Sequence, residues 1–438
     1  MAYSRAVESL AKMISFKTIS VLNEPEANKQ EFDGFVQYLQ ERYPKVFEKS
    51  AFERVGSSGL IMHLSGKRKD SPSVLMSHYD VVEVTEGWQV PPFAGEIKDG
   101  VVWGRGTLDT KITLCAAMEA SEALLAEGLV LQNDLYLAFA GDEEIGGGPS
   151  APAMVDWFES KGLRPGFVLD EGGAIVSNIF PGVDKECAVI GIAEKGFLNL
   201  MLTARAEDGH ASAPPKKTAL GKLAKAIARI ERSPFPQRLI SPVRKMLGNL
   251  GGYSSNGFIR FLFTNLWLTA PLVKLVFANS GGELAAMTRT TCAFTMATAS
   301  KQANVLPKAA SATANFRILQ GESAQSTMER ISRLAGSEIE VTNLYSNEPS
   351  KISEMDERYE LLADTIRENW QDILVTPYLM MACTDSRHYG RISDHVYRFS
   401  PVKMSKEDRA LIHADNERID AYKVDDCVAF YKKLIVKL

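Results

Sequence analysis

Acidic and histidine residues of the kind that bind metal ions occur in three short motifs of this sequence. They are SHYD at residues 77–80, GDEE at residues 141–144 and LDEGG at residues 169–173. Neutral imidazole and carboxylate ligands together suit zinc, with cobalt or manganese as substitutes. Asp109 and His413 lie outside these motifs and complete the set. The candidate metal-site residues are His78, Asp80, Asp109, Glu143, Glu144, Asp170 and His413. The pattern predicts a metal centre assembled from distant parts of the chain.

Spacing within two of these motifs suggests different roles for neighbouring side chains. His78 and Asp80 lie two residues apart, so on an extended strand end they point to the same side, and the carboxylate can orient the imidazole. Glu143 and Glu144 are adjacent, and two such carboxylates repel each other unless a cation or water compensates. One could bind a metal while the other acts as a general base. Taken alone, each motif has a plainer interpretation, a surface hydrogen-bonded pair or a solvated acidic turn.

The elements that must position these residues are short apolar strands. Residues 73–76 and 135–139 are apolar and each is followed by a polar turn, which is typical of central strands in an α/β sheet. Ligand sites in such sheets lie at the carboxyl ends of the strands. All three motifs begin at such ends, so their shared position supports a common site.

The pattern changes after residue 193 to the order βαββαβ, which is typical of a ferredoxin-like domain. A long insertion at about 233–289 separates its first helix from its second strand. The predicted strands are 197–206, 292–298, 312–319 and 338–344, and the predicted helices are 218–232 and 324–335. The predicted domains are residues 1–193 and 349–438 for an α/β catalytic zinc domain and residues 194–348 for an inserted ferredoxin-like α+β lid or dimerisation domain.

Composition excludes several classes of function. The chain has 438 residues, 45% of them hydrophobic and 24% charged, which is ordinary for a globular protein. A net charge of -4 argues against a nucleic-acid partner, which would need a basic surface. Five cysteines without a C-x-x-C pair suit a reducing compartment, and no secretory signal is evident at the start, so we expect a cytoplasmic protein.

One apolar stretch, residues 261–273, resembles part of a membrane helix. It is shorter than the roughly 20 residues that a bilayer span needs, and it is flanked by Arg260 and Lys274 and interrupted by Pro271. We therefore expect no membrane span, and a buried or lid-forming helix instead. Motifs for a serine-hydrolase elbow, a phosphate loop and H-E-x-x-H are absent from the sequence.

Seven ordered motifs together resemble a known family. SHYDVV, EGWQVPPFAGEIKDGVVWGRGTLDTK and GDEEIGG are followed by GHASAPP, QANVLP with NFRI, TDSRHY and IHADNERI. This order is similar to the di-zinc metallopeptidases that include aminoacylase, carboxypeptidase S and the glutamate carboxypeptidases. DEGG, NFRI, TDSRHY and NERI are most similar to the branch of carboxypeptidase S and the N-fatty-acyl amino acid hydrolase/synthases.

The resemblance implies a role for each candidate metal ligand. His78 and Asp170 would hold one zinc ion, Glu144 and His413 would hold the other, and Asp109 would bridge both. Two zinc ions per chain are therefore expected. The family also implies a cis peptide bond after Asp109.

The resemblance assigns three further residues to catalysis. Asp80 would orient His78, and Glu143 would take a proton from water and pass it to the leaving nitrogen. His210, in GHASAPP on the second domain, would stabilise the oxyanion. In many relatives the lid domain forms a homodimer and lends this histidine to its neighbour.

Four more residues are candidates for binding the substrate. Arg317 in NFRI resembles the family arginine that binds the substrate carboxylate, a task suited to its planar fork of donors. Asn304, Thr384 and Arg387 are weaker candidates for the same pocket. Cys383 departs from the family pattern, in which glycine usually precedes TDSRHY, and this puts the choice of substrate in doubt.

These residues predict a hydrolase that cleaves an amide with a free carboxylate on its amine side, releasing an amino acid. We expect the apolar insertion to supply an acyl pocket, which favours N-acyl amino acids, although it could instead pack a lid or a dimer interface. The residues expected to line that pocket are Phe261, Phe263, Leu266, Trp267, Leu268, Leu272 and Val273.

Three alternatives stay open at this point. A carboxypeptidase or dipeptidase would use the same site on short peptides. The reverse reaction would join a fatty acid to an amino acid. A non-catalytic metal-binding or amino-acid-binding relative would keep the fold without turnover, and the intact Glu143 argues against it.

Overall fold

The protein is described by a computed structural model that covers residues 3–24, 26–146, 148–177, 180 and 182–438. The strands are β1 Ser50–Val55, β2 Gly59–Leu64, β3 Arg68–His78, β4 Ile97–Lys98, β5 Val101–Trp103, β6 Asn133–Ala140, β7 Phe167–Asp170, β8 Ile175–Val176, β9 Cys187–Glu194, β10 Gly196–Arg205, β11 Gly209–His210, β12 Thr291–Thr298, β13 Val305–Leu306, β14 Ala309–Ile318, β15 Ile339–Asn347, β16 Leu374–Met380, β17 Val396–Arg398, β18 Lys403–Met404 and β19 Arg418–Asp420. The helices are α1 Arg5–Ile14, α2 Lys29–Arg42, α3 Pro44–Lys49, α4 Lys111–Ala126, α5 Ser150–Ser160, α6 Ala219–Glu231, α7 Ser241–Gly252, α8 Gly257–Thr264, α9 Leu266–Ser280, α10 Gly282–Ala286, α11 Ala324–Ala335, α12 Glu357–Asn369, α13 Lys406–Arg409 and α14 Ala421–Lys437, with a 3-10 helix at Asp385–Arg391.

The catalytic part is built on a large mixed sheet with helices on both faces. Within the described ranges its order is β1-β2-β6-β3-β7-β17-β9-β8-β18, with β16 paired to β9. The neighbours β6, β3 and β7 run parallel, and β6 is buried throughout. Strands covered on both faces read as continuous apolar runs, which explains why 73–76 and 135–139 were recognisable as strands.

Each face of this sheet has its own apolar core. On one face α4 packs against α14 and α1, and on the other α5 packs against the 3-10 helix. α4 is buried along most of its length. The predicted α/β class for this part of the chain is confirmed.

The ferredoxin-like fold of the inserted part is also confirmed. Its antiparallel sheet has the order β12-β14-β10-β15, and α6 and α11 pack on one face. Along β14 buried and half-buried residues alternate strictly, as expected for a sheet covered on one side. The domain boundaries at residues 193 and 348 stay a prediction.

The long insertion forms α7 to α10 and packs on the catalytic sheet. α7 lies against β16, and the buried side chains of the insertion join the main core of the catalytic part. No single helix among the described residues is long and apolar enough to cross a membrane. α8 and α9 pass that test only as a pair, and they are bent by 114° where they meet.

Candidate metal centre

Adjacent parallel strands bring the predicted acidic motifs to one edge of the sheet. β3 ends at His78, which lies opposite Ala140 at the end of β6. The GDEE turn follows β6 directly, and β7, on the other side of β3, ends at Asp170. The carboxyl ends of parallel strands therefore place all three motifs together, as the sequence predicted.

Asp109 reaches the same edge from the GRGTLD loop. Its peptide bond to Thr110 is cis, as predicted. α4 begins at Lys111, and its buried length ties the end of this loop to the main core.

A buried glutamate far along the chain holds this loop in place. The Glu417 carboxylate accepts backbone hydrogen bonds from Gly106, Leu108 and Asp109, the shortest being 2.7 Å. It also pairs with the Arg105 guanidinium at 2.8 Å, and both side chains are almost fully buried. Because Glu417 binds backbone N–H groups of this loop up to Asp109 itself, it positions the Asp109 carboxylate, which lies at the centre of the site.

Four of the predicted ligands form a continuous chain of contacts. His78 Nε2 lies 3.1 Å from Asp109 Oδ1, and His413 Nε2 lies 2.9 Å from Asp109 Oδ2. The same His413 nitrogen is 3.3 Å from Glu144 Oε2. Asp109 therefore lies between the two histidines, in the place that a bridging carboxylate would occupy.

Asp80 lies behind this chain of contacts and is fully buried. Its Oδ1 is 3.3 Å from His78 Nδ1, and its Oδ2 accepts a hydrogen bond from the Glu144 backbone N–H at 3.0 Å and from the Ser20 hydroxyl at 2.7 Å. One carboxylate thus contacts both His78 and the turn that carries Glu144. A carboxylate in this position orients a metal-binding imidazole and fixes its tautomer.

The charges of the cluster fit divalent cations. Hydrogen bonds that His413 donates to Asp109 and Glu144 raise its pKa to about 10. Burial alone would raise the pKa of Asp109, but the hydrogen bonds and charges of His413 and His78 outweigh it and lower that pKa. The buried carboxylates therefore need nearby positive charge, which a divalent cation can supply. Glu144 Oε1 is buried without a hydrogen-bond partner within the described part of the chain. Imidazole nitrogens, carboxylate oxygens and this unpartnered oxygen fit a metal centre.

The neighbouring acidic residues of the LDEGG motif, Asp170 and Glu171, have different surroundings. Both Asp170 oxygens already accept backbone hydrogen bonds, from Glu171 at 2.9 Å and from Ser386 at 3.0 Å. Glu171 instead borders the same cavity as Asp109, and burial followed by the Asp109 and Asp170 charges raises its pKa well above the usual range. Glu171 is thus a second candidate ligand, and the role of Asp170 as a ligand stays a prediction.

Glu143 lies beside the cluster among other acidic groups. Burial raises its pKa well above the ordinary value; the charge of His78 opposes this, and the charges of Asp385 and Glu171 add to it. The role of Glu143 as the general base stays a prediction.

Arg317 and the TDSRHY turn meet where the two domains adjoin. Arg317 stacks on the Phe197 ring at 4.8 Å, and its Nη1 is 3.9 Å from Cys383 Sγ. Arg387 donates to the Thr384 carbonyl at 3.3 Å, while its Nε and Nη2 are buried without partners among the described residues. Two arginines with donors to spare beside this turn can bind a carboxylate.

His210 and Asn304 are not brought to the metal cluster within one chain. Both are exposed, His210 on β11 and Asn304 directly before β13, the antiparallel partner of β11, and the Asn304 carbonyl accepts a hydrogen bond from Ala211 at 2.9 Å. His210 Nδ1 is 2.7 Å from the Ser212 hydroxyl. Their predicted roles stay predictions.

An apolar cavity of about 350 Å³ opens beside the metal cluster. Its charged lining residues are Asp109, Glu171, Glu283 and Arg409. The rest of the lining comes mainly from α10 and the residue after it, from the end of β16 and from the segment before His413; it includes Leu284, Met287, Tyr378, Met380, Met404 and Ile412. The cavity is therefore mainly apolar and is bordered by the Asp109 carboxylate of the metal cluster.

The insertion contributes to this cavity, but not through the predicted residues. Phe263, Leu266 and Val273 are buried in the main core, whereas Phe261, Trp267, Leu268 and Leu272 are exposed. None of these residues lines the cavity in the described structure. The insertion residues that line the cavity are Glu283 and Leu284 in α10 and Met287 directly after it.

With this geometry in view, the chain can be compared with known proteins. Residues 74–437 match the model of the peptidase family M20/M25/M40. The chain therefore belongs to this peptidase family, and it is a hydrolytic enzyme of the metallopeptidase class.

Particular relatives agree in length and fold. The chain is 34% identical to "Probable carboxypeptidase S-like 2" of Dictyostelium discoideum over 98% of this chain and 84% of that protein. It is 33% identical to the N-fatty-acyl-amino acid synthase/hydrolase PM20D1 of Mus musculus over 98% of this chain and 86% of that protein. The M20 family metallo-carboxypeptidase Sso-CP2 of Sulfolobus solfataricus has the same fold, with a TM-score of 0.71, 18% identity and 99% of both chains covered.

Proposed function

We propose that the enzyme hydrolyses the amide bond of N-acyl amino acids that carry an apolar acyl chain. The observation that carries this proposal is the apolar cavity that ends at Asp109 and Glu171. A volume of about 350 Å³ is within the range of small-molecule sites, and an apolar lining favours a hydrocarbon group over the charged amino terminus of a peptide.

Zinc is the metal that we propose for the site. Two ions held by His78, Asp109, Glu144, His413 and either Glu171 or Asp170 would lower the pKa of a bound water and polarise the amide carbonyl. We take Glu171 as the fifth ligand because it lines the cavity together with Asp109, whereas Asp170 is not among the lining residues.

The chain's own residues supply proton transfer and orientation. Glu143 accepts a proton from the attacking water and then donates it to the amine nitrogen as the C–N bond breaks. Asp80 keeps His78 in one tautomer, and Glu417 keeps Asp109 in place. Arg317, with Arg387 nearby, binds the carboxylate of the amino acid, so that the scissile amide lies between this carboxylate and the acyl cavity.

A bulky side chain at the wall of the cavity tests the acyl assignment. Leu284→Trp is expected to lower kcat/KM for a long-chain N-acyl amino acid by about tenfold or more, with little effect on the N-acetyl substrate, because the indole fills the far end. Leu272→Trp, on the exposed face of the same insertion, is the matched control. Equal losses for short and long chains in Leu284→Trp would refute the assignment.

We also propose that His210 acts in the active site of a second copy in a homodimer. In its own chain it is exposed on β11, and its ring nitrogen contacts the Ser212 hydroxyl rather than the metal cluster. Mixing His210→Ala with Glu143→Ala chains should restore about a quarter of the wild-type activity, since half of the dimers would be mixed with one complete site each. No recovery upon mixing would mean that His210 does not act across a dimer.

A cytoplasmic location is likewise our proposal. Its support is that all five cysteines are free, which suits a reducing compartment.

A further inference from the structure

α8 and α9 present an unusually apolar surface to solvent. The indole of Trp267 is 81% exposed, and the neighbouring apolar side chains are also open. The exposed set, here called the apolar face, is Phe258, Phe261, Trp267, Leu268, Leu272, Leu275 and Val276. Soluble surfaces rarely expose so many large apolar residues together, and such patches mark interaction sites.

The opposite sides of the same helices anchor them to the protein. Leu266, Thr269, Val273 and Phe277 of α9 are buried, and they recur at helical spacing. On the exposed side Leu268, Leu272 and Val276 recur every four residues. A helix held along one side cannot cross a bilayer, but its other side can lie in the interface.

The charge of this region differs from that of the rest of the chain. Between Glu231 and Glu283 the sequence has six basic residues and no acidic one, although the whole chain has a net charge of -4. Arg260 lies on α8 and Lys274 on α9, beside the apolar face. Among the described residues neither forms an ion pair with a carboxylate, so both charges are available to a partner.

We infer that the apolar face docks the enzyme on the surface of an anionic lipid bilayer. Trp, Phe and Leu on one side of a surface helix, with basic residues beside them, are the features that bind such an interface. The chain continues from α9 into α10, and Leu284 in α10 and Met287 directly after it line the apolar cavity. The docked surface and the cavity are thus connected by a few residues, but the docking does not depend on which substrate the cavity accepts.

A second copy of the chain is a less suitable occupant. A twofold dimer through this face would bring the same patch of both subunits together. Such a dimer would bring the Arg260 and Lys274 charges of both chains to one interface, and the insertion has no acidic residue between 232 and 282 to offset them. An anionic headgroup provides the missing charge.

Vesicle flotation of the full-length protein tests the inference. We expect co-flotation with phosphatidylcholine vesicles that contain phosphatidylglycerol, and weaker binding at high salt. The double change Trp267→Glu and Leu268→Glu should lower the binding by about tenfold or more, as should Arg260→Glu with Lys274→Glu. Leu220→Glu, which alters an exposed leucine on α6, is the matched control and should leave binding unchanged.

Two results would overturn the inference. One is no co-flotation of the wild-type protein with anionic vesicles. The other is co-flotation that Trp267→Glu with Leu268→Glu does not weaken, because the lipid would then bind elsewhere. A dimer that the same double change dissociates, with vesicle binding absent, would assign the face to a second copy.

Tryptophan fluorescence identifies which part of the protein enters the bilayer. Brominated lipids quench tryptophan that enters the interface, so they should quench the emission of the wild-type protein upon binding. In Trp267→Phe, which keeps the face apolar, binding should persist while this quenching is largely lost. Quenching that is unchanged in Trp267→Phe would show that another surface enters the bilayer.

Discussion

At the scale of single residues, the centre of the site is a carboxylate between two histidines. Asp109 contacts His78 and His413 through different oxygens, and Glu144 completes the contacts on the His413 side. These side chains come from strand ends and loops far apart in sequence. Their charges compensate each other only when protons or metal ions are present, which is why we expect the site to bind metal tightly.

Replacement of Glu143 separates catalysis from metal binding. Glu143→Gln keeps the shape of the side chain but removes the proton acceptor, so we expect kcat to fall by about 10²- to 10⁴-fold with the metal content unchanged. Metal analysis and steady-state kinetics on the same preparation check this. Retention of most of the activity would contradict the role of Glu143 as the base.

A pair of neighbouring substitutions tests which acidic residue of LDEGG binds metal. Glu171→Gln should lower the metal content from two ions towards one, because Glu171 borders the cavity at Asp109. Asp170→Asn should keep more metal, since the Asp170 oxygens hold the backbone N–H groups of Glu171 and Ser386. The opposite order of metal loss would restore Asp170 as the ligand.

The pair Asp170 and Glu171 shows what the sequence leaves open about the site. Successive residues at a strand end point to opposite sides, so an acidic pair shows that one carboxylate faces the site but not which one. The shared orientation of His78 and Asp80 is easier to predict, because a spacing of two residues keeps both side chains on one side of a strand end. Glu417 was missed as a positioning residue because its partners are backbone amides, which leave no pattern in the sequence.

At the scale of elements, the loop that carries Asp109 depends on a buried ion pair. Glu417 and Arg105 are almost fully buried, and Glu417 also holds three backbone amides. The loop is therefore fixed by a residue near the carboxyl end of the chain. This contact links the second half of the catalytic domain to the first.

Breaking this pair should destabilise the whole catalytic domain. Glu417→Ala leaves Arg105 charged and unpaired in the interior, which typically costs about 3–5 kcal/mol. We expect a clear fall in Tm by circular dichroism. Glu360→Ala, which removes one side of an exposed ion pair with Arg367, should change stability by less than about 1 kcal/mol. Similar effects of both changes would mean that Glu417 does not hold the loop.

Helices and strands whose apolar residues recur with a clear period are the most predictable from the sequence. The ferredoxin-like strands and helices begin and end within a few residues of their predicted bounds, because half-buried strands alternate and their helices have one apolar side. The insertion was less predictable. α9 is apolar on all sides, so its sequence does not show which side is buried and which forms the apolar face.

At the scale of the whole molecule, we propose that the two domains together form the substrate site. The catalytic sheet supplies the metal cluster and the base, while Arg317 approaches Cys383 from the ferredoxin-like sheet. The insertion adds a wall of the cavity through α10 and carries the apolar face on α8 and α9. The sequence resemblance predicted the first two features, and only the three-dimensional packing of the insertion shows the third.

The proposed hydrolysis of N-acyl amino acids is tested by the release of free amino acid from three kinds of substrate. Metal-loaded and chelator-treated enzyme are compared. The substrates are N-acetyl amino acids, N-long-chain-acyl amino acids and dipeptides, assayed with ninhydrin. We predict zinc-dependent release with the highest kcat/KM for long acyl chains. A preference for dipeptides would contradict the proposed substrate class, and equal turnover after complete removal of the metal would contradict the metal-dependent mechanism.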